Sequence, residues 1–148
     1  MRQRQARLPR YTFGAVCAVI LTASAAVAAN KDKPSISLKA SPAGGFSPLR
    51  VVLTAELRGG ADDFAEFYCP SVEWVWGDDT RSESRADCDP YEAGKSEIKR
   101  RYTIDHTFQT MGEYTVEFRL KQKNRVVGLG KTLVRVRPGV RDGGGDPR

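Results

Sequence analysis

The residue types in this 148-residue chain that could carry chemistry are few. They are one histidine (His106), three cysteines (Cys17, Cys69, Cys88), aspartates at Asp62-Asp63, Asp78-Asp79, Asp87 and Asp89, and the run Gly128-Leu129-Gly130-Lys131-Thr132. Nucleophilic catalysis needs a base beside a serine or cysteine and a third group to orient that base. His106 sits in no motif with either, so a structural place is expected for it. The Gly128-to-Thr132 run ends like a phosphate loop, but Arg125 stands where the first glycine belongs and the segment reads as strand. Calcium takes roughly six to eight oxygens; the aspartates lack calcium-loop spacing and read as carboxylates that solvate loops. Zinc takes about four ligands, more than Cys69, Cys88 and His106 supply. Hydrolysis of sugars needs two carboxyls facing across a cleft, and a small sandwich offers no obvious one. No catalytic residue, metal or cofactor is expected.

The cysteines speak instead to compartment. Arg2, Arg4, Arg7 and Arg10 precede an apolar run from Phe13 to Ala29, and Ala26-Val27-Ala28 places small residues where signal peptidase reads them. A signal peptide over 1–28 is expected, the alternative being a retained anchor. About 17 apolar residues are marginal against the roughly 20 that a bilayer needs, so no membrane span is expected after cleavage. Cys17 follows Val16 and a short apolar stretch from Tyr11, which does not suit lipid attachment. Cleavage leaves Cys69 and Cys88, an even pair bound for the periplasm or the extracellular space, where a disulfide is expected. The four leader arginines have no acid beside them, so their loss lowers the net charge from +6 to +2. A secreted chain of that charge without a nucleic-acid motif is not expected to bind nucleic acid. Acids concentrate in residues 56–97 and bases in 98–148, making a charge dipole along the sequence.

Beyond residue 30 the pattern has period two, with turn residues between the runs, which is an all-β signature. Ile36, Leu38 and Ala40 form one inward row, Val51, Leu53, Ala55 and Leu57 a second, and Val72, Trp74 and Trp76 a third. Tyr102, Ile104, His106 and Phe108 form a fourth, and Tyr114, Val116, Phe118 and Leu120 a fifth. A final strand is expected near Val126 to Arg137, with Gly128 and Gly130 marking a bulge. Six or seven half-buried strands suit two antiparallel sheets packed face to face, with the aromatic residues dominating the core. The expected division is a linker at 29–33, a domain at 34–137 and a disordered tail at 138–148.

Three pieces in order, Trp74-Val75-Trp76-Gly77-Asp78-Asp79, His106-Thr107-Phe108 and Gly112-Glu113-Tyr114-Thr115-Val116, resemble the PKD domain, an immunoglobulin-like β-sandwich. The likeness spans roughly 34 to 137. Asp79 replaces the second glycine of that family's turn, and Phe108 replaces its usual tyrosine. The resemblance implies contact with protein or carbohydrate outside the cytoplasm. From the residues, Trp74 is the core tryptophan, Gly77-Asp78 the turn, and Tyr114 a corner tyrosine anchored through its hydroxyl. Val116 stands where antibody domains put the second bridging cysteine, so the bridge lies elsewhere.

If Asp78-Asp79 is a two-residue hairpin turn, Cys69 falls opposite Cys88 across the ladder. That bridge would hold Pro90 and Tyr91 beside Phe64, Phe67 and Tyr68. These four aromatics, Phe64, Phe67, Tyr68 and Tyr91, either form a recognition surface at one end of a rigid sandwich or, in the case of Phe64 and Phe67, cap the core. Arg119, Lys121, Lys131, Arg135 and Arg137 are expected to point outward from the last two strands, as a solvated face or as a contact for acidic glycans or another copy. The expected function is a secreted, non-catalytic binding or adhesion module at the cell envelope; the alternative is a structural subunit of a larger envelope assembly. Its oligomeric state is left open.

Overall fold

The computed structural model describes residues 32–139. The expected leader at 1–28, the start of the linker and the tail from residue 140 lie outside the described residues. Among the described residues the alternating rows become eight strands: β1 (Ser35–Ser41), β2 (Gly44–Phe46), β3 (Leu49–Arg58), β4 (Ser71–Val75), β5 (Arg81–Ser84), β6 (Arg101–Phe108), β7 (Gly112–Gln122) and β8 (Arg125–Arg137), with one 3-10 turn at Ala65–Phe67. They form two sheets, ordered β1-β3-β6 and β2-β8-β7-β4-β5. The fold is all-β, a two-sheet sandwich of immunoglobulin-like type. No helix among the described residues is long and apolar enough to cross a membrane.

The core is the sum of the inward rows. Val51, Leu53, Ala55, Val116, Phe118 and Leu120 lose all contact with solvent, and Trp74 and Trp76 are buried beside them. Each large apolar side chain so buried contributes about 1.5–3 kcal/mol relative to exposure. The Trp74 ring meets Phe118 at 4.7 Å between centroids, and Tyr102 reaches Phe118 from the other sheet at 5.2 Å.

Three local features depart from simple alternation. The chain after β1 crosses to the second sheet, where β2 runs parallel to β8 with Gly44 beside Arg135 and Phe46 beside Arg137. The expected bulge in the last strand is present: Leu120 pairs with Gly128 and Lys121 with Val126, so Val127 is the inserted residue. The insertion turns both Val127 and Gly128 inward. β1 crosses close above this point, and a Cβ built on Gly128 would meet Ile36 Cδ1 at 2.6 Å and Phe67 Cζ at 3.1 Å.

The third departure corrects the β4–β5 register. Trp74 pairs with Ser82 and Val75 with Arg81, one residue away from the pairing that a two-residue Asp78-Asp79 turn requires. The loop is Gly77-Asp78-Asp79, closed by the Trp76 amide donating to the Thr80 carbonyl at 3.2 Å. Gly77 (φ +81°) and Asp79 (φ 65°) both adopt the left-handed region. A Cβ at Gly77 would meet the Thr115 carbonyl oxygen at 2.8 Å, whereas aspartate tolerates this backbone region well enough to replace glycine at residue 79.

The outward bases of β7 and β8 form a lattice with acids. Glu73, only 5% exposed on the outer face of β4, is covered by Arg119 at 3.1 Å and Lys121 at 3.6 Å. Arg119 also bridges to Glu117, which takes Lys131 from β8, and Arg135 pairs with Glu113. Of the five bases expected as an outward stripe, four are therefore paired within the sheet, leaving Arg137 at its end.

Candidate functional site

The residues of the three motif pieces meet across the two sheets. Trp76 leaves β4 and stacks on His106 of β6, 4.2 Å between centroids and 6° between planes. Its indole Nε1 donates to the Ser82 hydroxyl at 3.2 Å. His106 Nε2 lies 2.8 Å from Asp78 Oδ2; a carboxylate only accepts, so Nε2 carries the donated proton. Burial raises the Asp78 carboxyl, but hydrogen bonds from Thr80 and His106 outweigh that effect and hold it below the usual carboxylate range. Phe108 stacks on Tyr114 at 4.4 Å, and the Tyr114 hydroxyl donates to the Thr110 carbonyl at 2.8 Å. Gly112 lies against the Tyr114 ring, and Val116 fills the core below. His106 is thus a link between sheets, with one nitrogen and one ring face already engaged.

The opposite feature of the molecule is a pair of laced loops, residues 59–70 and 85–100. Cys69 and Cys88 are disulfide-bonded, with Cα atoms 6.1 Å apart. The bond forms outside the ladder, because β5 ends at Ser84, and Cys69 turns out of line with φ 47°. Such a bond fits an extracellular or periplasmic protein. The two tyrosine hydroxyls cross between the loops reciprocally: Tyr68 donates to the Asp89 carbonyl at 3.0 Å and Tyr91 to the Asp63 carbonyl at 2.7 Å. Their rings lie 5.6 Å apart. The Arg100 guanidinium ties the first loop down, donating to the Gly59 carbonyl at 2.8 Å and to Asp62. Gln122 of β7 donates to the Tyr68 carbonyl at 2.7 Å.

The four aromatics expected at a recognition surface divide. Phe67 is 0% exposed, inserted between the sheets with Phe64 against it at 5.1 Å, so it is a core residue and not a surface one. Phe64 is half-buried and packs on the core. Tyr68 and Tyr91 stand together, with Tyr91 37% exposed. Alternation could not separate these cases, because the 3-10 turn at Ala65–Phe67 rotates Phe67 inward without strand periodicity. Arg100 and Gln122 carry no sequence signal that distinguishes them from neighbouring surface residues.

Beside the laced loops, at the open edge between β5 and β6, lies a cavity of about 280 Å³. Pro70, Val72, Tyr102 and the cystine wall it, and Arg85, Glu97 and Lys99 stand at its rim. The Lys99 ammonium lies 5.0 Å from the Tyr102 ring centroid. Burial pushes the Tyr102 hydroxyl up to about 12. Among the described residues no group of three or more histidine, cysteine or acidic side chains is arranged to hold a metal ion. Asp62 is engaged by Arg100, and Asp78 by Thr80 and His106.

No protein-family model and no curated protein matches the chain. Among solved structures it is similar to the PKD domain of an M14-like peptidase from a Thermoplasmatales archaeon, with a TM-score of 0.49 and 16% identity over 74% of this chain and 99% of that one. It is also similar to the CARDB domain of a Pyrococcus furiosus protein in complex with di-metal ions, with a TM-score of 0.42 and 11% identity over 74% of this chain and 96% of that one.

Proposed function

We propose that the chain is a secreted, non-catalytic binding or adhesion module that contacts protein or carbohydrate at the cell envelope through the laced-loop end. The observation that carries this reading is the reciprocal Tyr68 and Tyr91 lacing beside the cystine. It fixes two aromatic rings at the surface with little freedom left to lose on contact, which lowers the entropic cost of binding. A rigid sandwich that presents aromatic loops at one end is a general arrangement for recognition. The engagement of His106 with Asp78 and Trp76 supports the non-catalytic part, since the one histidine is committed to holding the sheets.

A pull-down from native envelope, run beside a glycan array, tests the reading with wild type, Tyr91→Phe and Tyr91→Ala. Tyr91→Phe keeps the ring but loses the hydroxyl bond that fixes it, so capture is expected to weaken by less than in Tyr91→Ala. Tyr91→Ala is expected to lower capture about tenfold or more, the scale of losing a buried aromatic contact. Undiminished capture by the alanine variant at unchanged melting temperature would sink the proposal.

The second reading is a structural or assembly subunit of a larger envelope complex. It is favoured by the free side of β6, whose ladder partner among the described residues is β3 alone. Ion pairs from Arg101 to Glu56 and from Arg50 to Asp105 run across the β3–β6 ladder and place charged side chains on this edge strand, which discourages indiscriminate pairing. A discrete oligomer in sedimentation, lost on placing proline at Thr103, would favour assembly over recognition.

A further inference from the structure

The cavity at the open edge differs in chemistry from the sheet faces. On those faces Glu73, Glu113 and Glu117 each take basic partners, so charge is locally neutralised. Among the described residues, Arg85, Lys99 and Glu97 at the cavity rim form no ion pair and the Tyr102 hydroxyl has no hydrogen-bond partner, the Lys99 ammonium resting against the Tyr102 ring. No fully buried side-chain polar atom in the described residues lacks a partner, so the unpaired phenol oxygen reaches solvent-accessible space. An apolar wall and a few convergent, uncommitted polar groups are the general composition of a ligand site.

We infer that this cavity binds a small organic monoanion with an apolar body, an aryl or branched-alkyl carboxylate. Its hydrocarbon part lies against Pro70, Val72 and the cystine, and its carboxylate is met by Lys99, Arg85 and the Tyr102 hydroxyl. The volume, about 280 Å³, lies just under the roughly 300–1,000 Å³ range of pockets for drug-sized ligands, so it suits a single ring or a short branched chain. Two cations against the one carboxylate of Glu97 leave the rim with a single net positive charge, which matches a monoanion and disfavours a cation. The elevated Tyr102 value keeps the phenol protonated, and therefore a donor, throughout the ordinary pH range. Hydrogen bonds from charged or partly desolvated donors to a carboxylate are the stronger kind. The inference rests on the binding reading above only in placing the contact at this end of the sandwich.

Titration of the full chain with benzoate, benzamide and benzylammonium, followed through the backbone amides of residues 84–88 and 97–102 by NMR, tests it. Benzoate is expected to shift these amides saturably, benzamide to bind about tenfold more weakly, and benzylammonium not at all; tenfold is the scale of one hydrogen bond to a charged group. Lys99→Gln is expected to reduce the benzoate preference while leaving benzamide unchanged. Ala86→Leu, which fills the space from an exposed position, is expected to abolish both at unchanged melting temperature. Absence of a saturable benzoate shift, equal affinity for benzoate and benzamide, or binding that persists in Ala86→Leu would each overturn the inference. If benzoate fails while Tyr91-dependent capture stands, only the cavity assignment falls. If benzoate binds as expected while Tyr91→Ala captures normally, the cavity assignment holds and the tyrosine reading falls.

Discussion

Glu117 shows how a carboxylate on an outer sheet face acquires a pH-dependent weight. Hydrogen bonds from Lys131 and Arg119 hold it below its ordinary value of 4.5, with desolvation opposing them. A folded value below the unfolded one means that the unfolded chain binds the proton more readily, so stability rises with pH through this range. The contribution is complete above the unfolded value and is lost as pH falls through the folded one. Glu117→Gln is therefore expected to be less stable than wild type at pH 7 and to lose less on acidification from pH 5 to pH 3, as measured by urea unfolding at each pH. Parallel curves for the two proteins would remove Glu117 from the acid limb. At this scale the sequence was most legible where a side chain has one physical use. Cys69 and Cys88 pair, and Trp74 and Trp76 are core, whichever register is assumed. It was least legible for Phe67, whose orientation is set by a single 3-10 turn, and for Arg119 and Lys131, whose partners come from separate strands.

Strands and turns carry the next level, where one atom can decide a spacing. β8 lies so close under β1 that Gly128 has room for no side chain. Gly128→Ala is expected to cost about 1–3 kcal/mol, the usual penalty for overpacking a filled core, as read from denaturant unfolding. Ile36→Val removes the Cδ1 atom that stands 2.6 Å from the new Cβ, so the double variant should recover part of that loss. If the two substitutions simply add, the contact is not what makes glycine necessary. The inward rows of the long strands were legible because half burial imposes period two. β2 was not, since Ser41-Pro42-Ala43-Gly44-Gly45 has turn composition and its pairing to β8 is parallel, far along the chain and invisible to local pattern. The β4–β5 hairpin slipped by one residue because Asp79 takes a left-handed conformation usually left to glycine, lengthening the loop from two residues to three.

For the molecule as a whole, the cystine is the feature that ties fold to compartment. Cys69 and Cys88 are 19 residues apart in sequence, and closing a loop of that size stabilises by about 3 kcal/mol in the chain-entropy picture. The Cys69→Ala, Cys88→Ala protein is expected to unfold at correspondingly lower denaturant while keeping its sheet content by circular dichroism. Non-reducing mass spectrometry of the native protein is expected to find the two cysteine peptides joined; free thiols would remove the bond and the compartment inferred from it. The two sheets are also stitched by one continuous stretch of chain, since β1 belongs to the first and β2, three residues on, to the second. β2 is held on both sides of its short run, by the Arg135 amide on the Ala43 carbonyl and the Ser47 amide on the Arg137 carbonyl. Because the two strands are parallel, a pull on β2 toward its start and on β8 toward its end would load the pair along its length in opposite directions. Parallel strands so loaded must break their cross-links together instead of peeling them one by one. The β2–β8 pairing therefore opposes a pull along the two strands more than a pair that peels open from one end would.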